Sequence, residues 1–100
     1  MSGSSPKIYK RPKITVSQPP LYNVVMLNDD YTTMEFVVWV LTRFFEKERG
    51  EAFEIMMSIH TIGRGVAGRY VLDIAESKVA LVTEEARKRG FPLKCVVEGE

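Results

Sequence analysis

The sequence predicts a small α+β sandwich, with three helices packed on a three-stranded antiparallel sheet in the order β-α-α-β-α-β. Three observations predict it. Short runs of β-branched and aromatic residues stand at 21–27, 64–72 and 93–97. Apolar residues recur at helical spacing in three longer stretches between and beside them. The connections are short, as in a compact domain. One hundred residues suit one such domain, and no internal repeat divides it.

The chain is expected to begin with a flexible arm, residues 1–20, ahead of a core of residues 21–100. The arm is built of Ser, Gly, Pro and Lys and ends in Pro19-Pro20, which favours extended backbone. "LYNVVML", residues 21–27, reads as the first strand. Thr32 with Glu35 three residues on reads as a capping box that starts the first helix, with Thr32 as its N-cap. Met34, Val37, Val38, Leu41 and Phe45 then form an apolar stripe, while Trp39 falls among polar residues and is expected to be partly exposed. "KERGE" reads as a break at Gly50.

The second helix is expected over about Glu51 to Thr61, with Ala52, Ile55, Met56 and Ile59 on one face, His60 beside Met56, and Gly63 as the stop. "RGVAGRYVL" gives the second strand. The third helix is expected over about Asp73 to Arg89, with Arg87, Lys88 and Arg89 at its negative dipole end and Gly90 as the stop. "LKCVV" closes the sheet.

Composition excludes several classes. A hydrophobic share of 45% and a charged share of 27% are those of a soluble globular protein. The single cysteine, Cys95, permits neither an internal disulfide nor a metal site built from several thiolates, and fits a reducing cytoplasm. The first residues have no apolar h-region, so no secretory signal is expected, and no apolar run approaches a membrane span. The net charge of +1 is divided unevenly. Lys7, Lys10, Arg11 and Lys13 give the arm +4, whereas ten basic and thirteen acidic residues give the rest −3. Such a body is not a nucleic-acid binder by charge.

"GRGVAG", Gly63 to Gly68, matches the glycine spacing of a dinucleotide fingerprint. That motif needs a strand before it and a helix after it, and here the order is reversed. Ser58 and His60, two residues apart on a helix, point to different sides and form no nucleophile–base pair. Asn28, Asp29, Asp30 and His60 match no standard metal-ligand spacing. Asp29 and Asp30 suit a helix start, where negative charge complements the dipole.

The blocks "YNVVMLNDDYTTMEFVVWVL", "MMSIHTIGRGVAGRY", "DIAESKVALV" and "GFPLKC", in that order, resemble ClpS. ClpS proteins are bacterial adaptors that deliver N-degron substrates to the ClpA-type unfoldase of the Clp protease. The resemblance runs from about Leu21 to Val97. It implies a cytoplasmic, non-enzymatic binding module without cofactor or metal, and a monomer is expected because the helices need their apolar faces for their own core. Such a module recognises a free α-ammonium together with a bulky first side chain: Leu, Phe, Tyr or Trp. By resemblance Asn28, Asp29 and His60 hold the α-amino group, and Asp30 and Thr32 reach the following peptide backbone. Met34, Val37, Met56, Ile59 and Leu93 wall the apolar pocket, with Met34 as a gate against β-branched side chains. Asp73, Glu76 and Lys78 dock on the unfoldase N-domain, and the arm is engaged during handover.

The chemistry agrees with these roles. An ammonium offers three donors and no acceptor, so its host must supply amide, carboxylate or imidazole acceptors. A protonated imidazole cannot accept, so binding is expected to weaken as histidine titrates on acidification. The chain departs from the family pattern at four places: Thr33 stands where proline is usual, Trp39 where a polar residue is usual, Lys94 follows Leu93, and Asp73 replaces the commoner glutamate. Two other readings are a paralogue with an altered or narrowed pocket that mainly regulates the unfoldase, and a small metal-dependent hydrolase using Asp29, Asp30 and His60.

Overall fold

The structure, a computed structural model, describes residues 18–99. The arm expected over residues 1–20 therefore lies outside the described residues except for 18–20, which are exposed and without regular structure. The elements are β1 (Tyr22–Leu27), α1 (Met34–Phe44), α2 (Arg49–Ile62), β2 (Arg64–Tyr70), α3 (Leu72–Lys88) and β3 (Lys94–Gly99). The sheet has the order β2-β1-β3, and both pairings are antiparallel. This is the α+β sandwich that the sequence predicts.

The apolar β1 is central because its neighbours pair with it on both edges. Val24 and Met26 point toward the helices and join the main core, with Phe36, Val40 and Leu41 of α1, Met56 and Ile59 of α2, and Val82 of α3. Val25, also fully buried, falls by alternation on the opposite face, opposite Val66 on β2 and Val96 on β3. Val24 pairs with Gly68 and Val25 with Val66, which leaves Ala67 as the extra residue of a β-bulge. Arg64 on β2 and Glu98 on β3 form an ion pair that reaches across β1.

Two boundaries differ from the expected ones, each for a tertiary reason. The N-cap of α1 is Thr33, not Thr32: the Thr33 side chain accepts the N–H of Phe36 at 3.1 Å. Thr32 is already engaged by Asp29, so the helix starts one residue later and no capping box forms. The break after α1 lies at Phe45–Glu48, not at Gly50, which sits in the first turn of α2. Glu46 adopts the left-handed region at φ 56°, and Lys47 N–H turns back to the Leu41 carbonyl at 3.1 Å. Lys78 of α3 donates its Nζ to the Phe44 carbonyl at 2.6 Å, so the end of α1 is satisfied by a side chain from α3. Trp39 is partly exposed as expected, with the Arg89 guanidinium 4.3 Å from its ring centroid.

The glycines of "GRGVAG" shape the junction of α2 and β2. Gly63 ends α2 at φ 103°, its N–H bonded to the Ile59 carbonyl at 3.0 Å. At Gly65 a Cβ would stand 2.8 Å from Ile59 Cγ1 and 3.1 Å from the Ile55 carbonyl oxygen. Only glycine lets β2 lie this close to α2.

Candidate functional site

β1 runs out at Leu27 and hands the chain to a polar loop, Asn28–Thr33, before α1 begins. The loop is held at two points. Asn28 N–H donates to the carbonyl of Gly63 at 3.0 Å, tying the loop to the end of α2. Asp29 holds the turn: its Oδ1 accepts the N–H groups of Tyr31 at 2.8 Å and Thr32 at 2.7 Å. Its Oδ2 accepts the Thr32 hydroxyl at 2.7 Å. Burial pushes this carboxyl up, but the hydrogen bonds from Thr32 and Tyr31 outweigh it and hold the group below its ordinary value of 3.8. Asp29 is therefore a carboxylate at neutral pH. A carboxylate has about four acceptor positions, so three bonds leave one open.

His60 sits in the last turn of α2, three residues before Gly63, and is exposed. Because Gly63 is bonded to Asn28, the histidine and the loop share one rim. Among the described residues no hydrogen bond engages the Asn28 side-chain amide or the His60 ring. Both stand ready as acceptors.

Beneath this rim lies a cavity of about 250 Å³. Asn28, Asp29, Asp30, Thr32 and His60 form its polar side, and Met34, Val37, Met56 and Ile59 its apolar side. Every one of these is a residue the sequence points to. Met34 is 44% exposed, whereas Val37, Met56 and Ile59 are buried, so the methionine stands at the entrance and the others form the floor. Leu93 is not brought to this wall: it is 1% exposed and packed in the core.

The three residues implied for docking lie on α3, which contributes no side chain to the cavity. Asp73 and Glu76 are exposed, whereas Lys78 is half-buried and bonded to Phe44. Among the described residues no three His, Cys, Asp or Glu side chains are arranged to hold a metal ion. No helix among them is long and apolar enough to cross a membrane. Cys95 is buried, and burial pushes its thiol up to about 12, so it is a packing residue and not a nucleophile.

The sequence pattern did not point to a second, larger cavity of about 770 Å³ that shares Met34 and Met56 with the first. Phe53 lines it and is 54% exposed. The available signal was an aromatic residue lying off the Ala52–Ile55–Met56–Ile59 face of α2.

Comparison with known proteins agrees over nearly the whole chain. The family model described as "ATP-dependent Clp protease adaptor protein ClpS" matches residues 17–96. A ClpS adapter protein of Caulobacter vibrioides is 50% identical over 96 residues, covering 96% of this chain and 86% of that one. One of Ralstonia nicotianae is 48% identical over 91 residues, covering 91% and 84%. The structure of Agrobacterium tumefaciens ClpS2 bound to L-phenylalaninamide matches with a TM-score of 0.79 and 40% identity, covering 83% of this chain and all of that one. The chain belongs to the ClpS family of adaptor proteins of the ATP-dependent Clp protease.

Proposed function

We propose that this protein binds the first residue of polypeptides bearing an N-degron and delivers them to a ClpA-type unfoldase, without catalysing a reaction itself. One observation carries this reading: open acceptor positions on Asn28, Asp29 and His60 stand along one side of a cavity whose other side is apolar and which is sized for a single side chain. The volume of about 250 Å³ falls below the roughly 300–1,000 Å³ of sites for drug-sized ligands. The α-ammonium donates to the Asn28 amide oxygen, the free position on Asp29 and the imidazole of His60. Asp30 and Thr32 take the next peptide group. A Leu, Phe, Tyr or Trp side chain enters past Met34 onto Val37, Met56 and Ile59. Leu93 supports this wall from within the core. The L-phenylalaninamide bound to the Agrobacterium relative combines the same two features, a free α-amine and an aromatic side chain.

The magnitudes require both halves. A hydrogen bond to a charged group contributes roughly 1.5–3 kcal/mol, and burying a Leu or Phe side chain about 1.5–3 kcal/mol. Micromolar binding needs about 8 kcal/mol, beyond the cost of ordering the peptide. Three such bonds give roughly 4.5–9 kcal/mol and the side chain adds about 1.5–3 kcal/mol, so once ordering is offset the two together reach micromolar binding, and a chain end is what supplies both. Asp73 and Glu76 on α3 are the surface for the unfoldase N-domain, leaving the cavity free to hold cargo. Fluorescence anisotropy with peptides beginning in Phe, Leu or Trp, each free and N-acetylated, tests the reading. Free peptides are expected to bind at least tenfold more tightly; equal affinity of the two forms would sink it.

A further inference from the structure

The two cavities meet at Met34 and Met56, which line both. The larger one follows the seam between the outer faces of α1 and α2. Met34, Val38 and Trp39 form one wall, and Gly50, Phe53 and Met56 the other. Its walls are apolar and open: Phe53 is 54% and Met34 44% exposed. Glu35, Thr42 and Arg49 border this apolar channel with polar groups.

A polypeptide whose first residue fills the smaller cavity must continue from its entrance. The groove spans Met34 to Thr42 of α1, roughly 12 Å at 1.5 Å per helical residue. Extended chain advances about 3.3 Å per residue, so the three or four residues after the first cover that length. Glu35 and Arg49, both exposed and both on the groove, supply a carboxylate for peptide N–H groups and a guanidinium for peptide carbonyls. We propose that the α1–α2 groove is a second subsite for the same polypeptide, accepting one bulky apolar side chain from among its second to fifth residues. The inference rests on the chain-end reading above, because the continuity through Met34 and Met56 is what identifies the occupant. Cargo then carries a two-part signal: a free bulky first residue and an apolar residue shortly after it.

Anisotropy with two sets of free-amine peptides tests this. The reference begins with Phe and continues in Ala and Gly; the others carry Leu at position two, three, four or five. At one position Leu is expected to tighten binding about three- to tenfold, less than full burial gives because the groove is open on one side. Phe53→Gln is expected to abolish that gain and to leave the reference affinity unchanged. Trp39→Gln, with its melting transition measured alongside, is expected to do the same. No gain at any position, or a gain that survives Phe53→Gln, overturns the proposal. A gain seen only after residues 1–17 are removed assigns the groove to the arm and overturns it too. A dimer that Phe53→Gln dissolves would assign the groove to a second copy and overturn the proposal as well. A reference peptide that binds no better than its N-acetylated form overturns instead the chain-end reading.

Discussion

The backbone N–H of Asn28 donates to the carbonyl of Gly63 at 3.0 Å. This one bond joins the two chain segments that carry the acceptors, the loop after β1 and the last turn of α2. Gly63 presents that carbonyl at φ 103°, a conformation that costs most other residues about 1–2 kcal/mol. Gly63→Ala is expected to lose about that much stability and to weaken chain-end binding several-fold as His60 shifts from Asn28. Gly90→Ala is the control: φ there is 80°, at the end of α3 and off the cavity. It should lose similar stability in urea with unchanged peptide affinity.

The Asp29 carboxyl gives the loop a definite dependence on pH. Its value is depressed in the folded chain, so its contribution is fully present above the unfolded value and fades as pH falls through the lower folded one. The stability lost in Asp29→Ala is therefore expected to be greatest at neutral pH and to shrink below about pH 3.8. Urea midpoints for both proteins at pH 7 and at about pH 2.5 check this. A difference that stayed constant or grew on acidification would contradict it.

Thr33, where the resemblance leads one to expect proline, contributes a cap that proline cannot. Removing a threonine N-cap costs about 1 kcal/mol, which in a domain of this size is about 4–8 °C in Tm. Thr33→Ala should show that loss. Thr33→Pro should fall near the starting protein, because φ −75° suits proline and the restricted unfolded chain returns about 0.4–1 kcal/mol. Calorimetry on the two variants separates the effects.

Lys78 illustrates a residue with two claims on it. Its ammonium reaches the Phe44 carbonyl and lies 5.6 Å from the Tyr70 ring centroid and 5.8 Å from that of Phe45. Lys78→Met keeps the stem and removes the charge; the expected loss is about 1–2 kcal/mol, discounted from a fully buried charged hydrogen bond. Glu76→Lys should behave otherwise, leaving Tm and peptide affinity alone while weakening capture of the unfoldase N-domain; Asp73→Lys should weaken capture too, with a small loss of Tm because Asp73 lies in the first turn of α3 and accepts the Ile74 N–H. Unchanged stability in Lys78→Met would contradict the helix-end role.

What could be read from the sequence divides along the range of the signal. The strand before Asn28, the stop at Gly63 and the acceptor-rich loop are local patterns, and the ClpS resemblance named the side chains that the cavity gathers. The choice between Thr32 and Thr33 as cap was not legible, because Asp29 competes for Thr32 through bonds of 2.7 Å that no capping pattern encodes. The end of α1 was hidden for a stronger reason: its carbonyl is satisfied by Lys78, which lies 34 residues away in sequence. Leu93 shows the reverse limit, since its position in the motif implies the pocket while packing draws it into the core.

Gly65 contributes no atom to the cavity, yet its bare Cα lets Ile59 stand back from the cavity. The depth of the slot is thus gauged from the strand behind it. A methyl at this position would push the floor forward and make the slot shallower with every lining residue left in place.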